Sequence, residues 1–212
     1  MRWLKRGLVA LAVLAAVFVL GGLLLPDRGE VERSIVIERP PAQVYDAIDG
    51  FARFNEWSPW ADYDDTARYR LSGPPRGVGA RMEWSGEKGS GSQEVVLAIP
   101  HELVAVALDF GADGEAEARL ILVPEGAGTR VYWRLTSMAG GHLAGRWFNL
   151  LLERLVGPDY ERGLANLKRL LEAEPVAAPP PPSIDAMPAE EPLDPDAGEP
   201  GPDPAVRGGN GD

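Results

Sequence analysis

Nineteen residues without a charge, Gly7 to Leu25, follow three basic residues, Arg2, Lys5 and Arg6. As a helix rising ~1.5 Å per residue, such a run matches a hydrocarbon core of roughly 30 Å. It is apolar on every side, which argues against a core helix of a soluble domain. The basic flank belongs on the cytoplasmic side, so the chain after Pro26 is expected across the membrane, in the periplasm if the cell is Gram-negative. A cleaved signal peptide would have a shorter apolar stretch of roughly 7–15 residues and an A-x-A-like site. Here the stretch ends in Leu23-Leu24-Leu25-Pro26-Asp27, and Gly21-Gly22 is the one small-residue hint of cleavage. The expectation is therefore an uncleaved signal anchor over about residues 7–25, with a short tether to residue 30. Trp3 suits the membrane–water interface.

The remainder divides in two. Residues 31–173 have the size of one domain with a real core. Residues 174–212 form a tail rich in Pro, Ala, Asp and Glu, with too little apolar surface to fold. The net charge is −11, of which the tail contributes −8 and residues 1–30 contribute +2, leaving −5 on the domain. A domain of that sign is repelled by nucleic acid. The chain has no Cys, so disulfides, thiolate nucleophiles and Cys-based metal sites are excluded. His101 and His142 are too distant in sequence to suggest a metal site, the Gly-Ser-rich 86–91 segment lacks a phosphate-loop lysine, and no cofactor is expected.

Along the domain, residues 31–39 alternate as a strand, with Val31, Ile35 and Ile37 in one phase. Pro40-Pro41 then opens a helix that runs to Ile48 and stops near Gly50. A second short helix near 51–54 leads into Trp57-Ser-Pro-Trp60. Residues 67–72, 78–85, 92–99, 102–110, 115–123 and 129–137 read as antiparallel strands separated by Gly- and Pro-rich turns. The last third is helical, in two pieces broken at Gly157-Pro158. In the second piece Tyr160, Leu164, Leu167 and Leu171 make one buried stripe. The class is α+β: a curved antiparallel sheet of about seven strands wrapped on a long C-terminal helix, with a transmembrane helix ahead of it.

That order of elements resembles the helix-grip fold of the START/Bet v 1-like (SRPBCC) superfamily, in its polyketide cyclase/dehydrase-like branch. The stretch Leu155-Val-Gly-Pro-Asp-Tyr-Glu-Arg-Gly-Leu-Ala-Asn-Leu-Lys168 is similar to the closing helix of bacterial members. Trp57-Ser-Pro-Trp60, Gly77-Val-Gly79, Trp84-Ser-Gly86 and Gly128-Thr-Arg-Val-Tyr-Trp133 fall where the family has similar short motifs. The resemblance covers residues 31–173 and implies an apolar cavity between sheet and helix, used in the superfamily for lipids, sterols, polyketides and other hydrophobic molecules. It carries no catalytic residue onto this chain.

Strand phase decides which side chains face such a cavity. One phase collects Tyr69, Leu71, Met82, Trp84, Val95, Leu97, Ile99, Val104, Val106, Leu108, Phe110, Ala118, Leu120, Leu122, Val131, Trp133 and Leu135, and none is charged. The opposite phase carries Arg68, Arg70, Arg81, Glu83, Glu94, Asp109, Glu117, Arg119, Arg130 and Arg134. A bulge would exchange the faces of every residue beyond it. Gln93 is the clear inward polar group. Trp57, Trp60, Met82, Trp84, Gln93, Phe110, Trp133 and Trp147 are the candidate cavity-lining residues. Trp84 and Trp133 also suit a plain core, and Trp57 and Trp60 suit either a lid at the cavity mouth or a plug.

A catalytic group would have to come from loops or helices: Tyr45, Asp46, Asp49, Asn55, Glu56, His142, Asn149, Glu153 or Tyr160. The helix from 143 to 156 carries surplus apolar side chains, which suit deep core, a ligand wall, a dimer contact or a surface that leans on lipid. The leading expectation is a membrane-tethered binder of a hydrophobic small molecule or lipid. A cyclase- or dehydratase-like enzyme and a non-catalytic envelope interaction module are the alternatives. The oligomeric state is left open.

Overall fold

The computed structural model describes residues 2–176. Residues 177–212, most of the expected tail, lie outside the described residues. Helix α1, Arg2–Leu24, leads into strand β1, Arg28–Ile37, across only Leu25-Pro26-Asp27. Two short helices follow, α2 (Pro41–Ile48) and α3 (Phe54–Trp57). Then come strands β2 (Arg68–Ser72), β3 (Arg81–Gly86), β4 (Gly89–Ile99), β5 (Leu103–Asp109), β6 (Glu115–Glu125) and β7 (Gly128–Met138). Helix α4, Leu143–Ala173, closes the domain. The seven strands form one antiparallel sheet in the order β1-β7-β6-β5-β4-β3-β2, so the first strand returns to pair with the last. Pro41 sits at the start of α2, where its fixed φ suits the first turn and its missing N–H costs nothing.

The inner face of the sheet follows the sequence phase over most of its area. Met82, Val95, Val104, Val106, Leu120, Leu122, Val131 and Trp133 are buried in one core with Leu152, Tyr160, Leu164, Leu167 and Leu171 of α4. Leu97 and Ile99 are a correction. Register shifts between Val95 and Leu97, after which Ala98, not Leu97, pairs with Val104. That bulge turns Ala98 inward and leaves Leu97 and Ile99 exposed on the outer face.

Helix α4 is a second correction, because it runs unbroken through Gly157-Pro158. A proline inside a helix removes a backbone bond and costs about 3 kcal/mol relative to alanine. A clamp from β1 spans the weak point. Arg33 shares the inner phase of Val31 and Ile35, and it bridges Glu153 and Glu161, one on each side of Pro158, at 2.6 Å each. Gly157 makes room for it, since a Cβ there would lie 2.4 Å from Arg33 Nη2. Arg33 is thus an ionised side chain on the inner face, at the sheet edge beneath α4.

This geometry predicts a change of sign. With the partly exposed partners discounted for solvent, Arg33→Ala should lower stability by about 1 kcal/mol. In the wild-type background Gly157→Ala should be near neutral, because helix propensity offsets the displaced clamp. In the Arg33→Ala background the same change should stabilise by up to ~1 kcal/mol. A double-mutant cycle by chemical denaturation reads the difference directly.

Candidate ligand-binding face

The eight candidate residues occupy three places. Trp57, Trp60 and Trp133 meet in an aromatic plug between the sheet and α4. Trp133 stacks on Tyr160 with ring centroids 3.9 Å apart and 13° between planes. Trp57 and Trp60 meet Trp133 edge-on at 5.3 and 5.7 Å. The Trp60 indole donates to Asp159 Oδ2 at 3.2 Å. Gly163 permits this closeness, because a Cβ there would come within 2.6 Å of the Trp133 ring. The indole N–H groups of Trp57 and Trp133 are buried without a hydrogen-bond acceptor. These residues fill the space between α4 and the sheet.

Met82, Trp84, Gln93 and Phe110 form a second group, on the inner phase of β3, β4 and the end of β5. Trp84 meets Phe110 edge-on at 5.8 Å. Gly91 opposite Trp84 leaves space for its ring, which a Cβ would approach to 2.5 Å. Gln93 and Met82 are buried side by side, with Gln93 Nε2 3.9 Å from the thioether sulfur. Around them, Tyr69, Leu71 and Phe110 remain 38, 54 and 37 % exposed although they belong to the inner phase. The cause is the placement of α4, which packs chiefly along β1 and touches β7. Helix α2 covers β6 and part of β7, so the β2–β3 end of the inner face is left open. The third place holds Trp147, whose ring stacks on Phe18 of α1 at 5.9 Å.

Sequence reasoning missed the anchor of this open face, Asp64. Its Oδ1 accepts from the Thr66 N–H at 2.9 Å and the Thr66 hydroxyl at 2.5 Å, and its Oδ2 accepts from the Lys88 N–H at 2.9 Å. The loop after Trp60 is thereby tied to the β3–β4 hairpin. An Asp two residues before Thr is a turn signal that could have flagged it. The Thr66 hydroxyl and the Lys88 amide hold the Asp64 carboxyl below its usual range. A depressed carboxyl stabilises the fold above its unfolded pKa of ~3.9 and loses that contribution as pH falls through the folded value. Acidification below pH ~4 should therefore release the loop, read as faster exchange of the Thr66 and Lys88 amides. Asp64→Asn should abolish that pH step.

Several of the groups proposed for catalysis are engaged in structural contacts. Asp49 is buried at the end of α2 and receives Arg76 Nε at 2.9 Å. Burial pushes its carboxyl up, against the pull of Arg76. Asn149 donates to the Asp27 carbonyl at 2.9 Å, Glu153 pairs with Arg33, Glu56 pairs with Arg53, and Tyr160 lies under Trp133 with its phenol raised by burial. His142 is exposed at the entrance of α4. Among the described residues no group of three His, Asp or Glu could hold a metal.

An open cleft of about 530 Å³ lies at this same β2–β3–β4 end, lined mainly by outer-phase residues that include Arg70, Arg81, Glu83, Ser92 and Asp109, and also by Tyr69 and Trp84. Two of its arginines are engaged: Arg81 reaches Glu94 at 3.1 Å and Ser92 at 2.8 Å, while Arg70 reaches Glu83 at 2.9 Å. A second concavity is a shallow patch on α1 near Lys5 and Ala10. Neither lies between the sheet and α4; the apolar cavity expected there is a correction, because Trp57, Trp60, Trp133 and Tyr160 pack together in that space.

Solved structures share this architecture at low identity. A protein of unknown function from Staphylococcus aureus matches with a TM-score of 0.54 at 11% identity, over 69% of this chain and 94% of its own. A Rhodobacter sphaeroides protein matches with a TM-score of 0.52 at 18% identity, over 69% and 95%. The di-domain ARO/CYC StfQ from the steffimycin biosynthetic pathway matches with a TM-score of 0.51 at 11% identity, over 69% of this chain but 51% of its own. Identities this low establish the fold alone. No curated protein matches the chain. The sequence model of one family matches residues 28–172, from the first residue of β1 to the last turn of α4. With the seven-stranded sheet and its closing helix, that match places the chain in the polyketide cyclase/dehydrase and lipid transport family.

Proposed function

We propose that the protein is a membrane-tethered, extracytoplasmic domain that binds or transfers a hydrophobic small molecule or lipid on the open inner face around Trp84 and Phe110. The observation that carries this reading is the exposure of Tyr69, Leu71 and Phe110 on a phase that elsewhere is largely apolar and buried, Arg33 at the far edge excepted. Exposed apolar surface gathered in one place commonly marks a binding site. Membership of a family described by cyclase, dehydrase and lipid-transport activities supports a ligand of this class. The tether is supported by α1, which is long and apolar enough to cross a membrane and is almost wholly exposed. The Arg2, Lys5 and Arg6 flank supports the cytoplasmic N-terminus. Binding is favoured over catalysis because the candidate carboxylates Asp46, Asp49, Glu56 and Glu153 are all held in ion pairs with arginines. Native mass spectrometry of the full chain, released from detergent after purification from cells, tests the reading. A reproducible adduct of lipid-like mass is expected, and only bare protein across repeated preparations would refute it.

One observation favours a second reading, a non-catalytic interaction module. The space under α4 is filled by Trp57, Trp60, Trp133 and Tyr160. On that reading the open aromatic face contacts a protein, and no small-molecule adduct forms.

A further inference from the structure

Helices α1 and α4 are joined by an interface as well as by the chain. Gly21 and Gly22 form a notch on α1 that receives Trp147 and Leu143. A Cβ on Gly21 would lie 2.8 Å from Trp147, and one on Gly22 would lie 2.9 Å from Leu143. The Trp147 indole donates to the Phe18 carbonyl at 3.1 Å. Arg146 Nη1 donates to the carbonyls of Leu23 and Leu25, each at 3.3 Å, and its Nε lies 3.4 Å from Asp27. Asn149 Nδ2 donates to the Asp27 carbonyl. Three residues of linker bound in this way make a fixed joint.

The joint places α4 at a definite depth. Phe18 precedes Leu24 by six residues, which is about 9 Å down the α1 axis. If α1 fills the hydrocarbon from Gly7 to Leu25, the Trp147 ring stacked on Phe18 lies inside the outer leaflet. Asn149 is then level with Asp27, near the headgroups. Phe148, Leu151 and Leu155 recur at i, i+3 and i+7 beside this contact and are 48, 48 and 53 % exposed. Further along the same flank, Asp159, Arg162 and Arg169 replace the apolar residues. The flank is apolar next to the α1 joint and polar beyond it.

We infer that the Phe148–Leu151–Leu155 stripe is a lipid-docking surface, seated in the outer-leaflet interface and continuous with the lipid-facing surface of α1. The inference rests on reading α1 as a membrane span and deepens it. The domain is held in one orientation on the bilayer, not suspended on a leash. Continuity with the exposed apolar surface of α1 identifies the bilayer as the occupant. Arg154, exposed between Leu151 and Leu155 in sequence, is placed to meet phosphate headgroups.

The chain has no Cys, so single-cysteine variants can be labelled at one site each. The full-length protein is reconstituted in phosphatidylcholine nanodiscs with and without doxyl-labelled lipid. A bimane fluorophore is attached to Val13→Cys in the span, Phe148→Cys or Leu151→Cys on the stripe, or Arg169→Cys on the polar continuation of the same flank. Doxyl lipid should quench the labels at 13, 148 and 151 at least twofold more than the label at 169. Quenching at 13 with both stripe labels as bright as that at 169 would overturn the docking surface and leave the span intact. An unquenched label at 13 would overturn the span and the inference with it. Two independent stripe positions guard against one variant that misfolds.

Discussion

Trp133→Ala should remove about 3–5 kcal/mol of stability, the range for deleting a large aromatic from a packed core. Against a typical net stability of roughly 5–15 kcal/mol, such a loss leaves the domain marginal or unfolded. The size follows from how many elements converge on this one side chain. Trp133 comes from β7, Tyr160 from α4, Trp57 from α3 and Trp60 from the segment after it. Gly163 of α4 has no Cβ at the point where the ring approaches most closely. Collapse into the vacancy would require α4 and the Trp57–Trp60 segment to move together, so much of the cavity should persist. Chemical denaturation of the detergent-solubilised protein measures the loss. Trp133→Phe, which keeps a ring on Tyr160, should lose less than half as much.

Phe110→Glu and Trp84→Ala should act on binding and spare the fold. Phe110 is more than a third exposed and Trp84 is half-buried, so neither is locked into the plug. A carboxylate at 110 would have to be desolvated against an apolar ligand, and removing Trp84 deletes much of the contact area. Each should lower adduct occupancy at least about tenfold, which corresponds to 1.4 kcal/mol of binding free energy. The thermal midpoint should change by only a few degrees. Arg70→Ala, in the outer-face cleft, should leave occupancy unchanged. Equal loss in all three variants would argue for a general effect on folding.

The fold was legible because its strongest signals are periodic. Alternation marked the inner face, and the Tyr160, Leu164, Leu167, Leu171 stripe marked the buried side of α4, where all four are buried. The motif Leu155–Lys168 proves to be a packing code: Gly157 admits Arg33, Asp159 takes the Trp60 indole, Tyr160 stacks on Trp133, and Gly163 clears space for that ring. What was hidden depends on partners distant in sequence. Pro158 reads locally as a helix break, and only β1 supplies the arginine that spans it. The bulge after Val95 leaves no compositional mark, so Leu97 and Ile99 read as inward. The packing role of Gly21-Gly22 has no local sign, because the Trp147 that occupies the notch lies more than a hundred residues later.

The site was legible only in part, for the same reason. Strand phase groups Met82, Trp84, Gln93 and Phe110, and the fold places them at one end of the sheet, with Met82 and Gln93 buried and Trp84 and Phe110 partly exposed. The same phase could not separate them from Trp133, because α4 covers one end of the sheet and not the other. Which inward residues stay uncovered is set by the path of a helix at the far end of the chain.

A structure of the full-length protein in nanodiscs, solved with the hydrophobic molecule it carries from cells, tests the account most directly. Density is expected against Trp84 and Phe110 on the inner face, bounded by Tyr69 and Leu71. Density seated instead among Arg70, Arg81 and Asp109 on the outer face, or an inner face closed over with no guest, would contradict it.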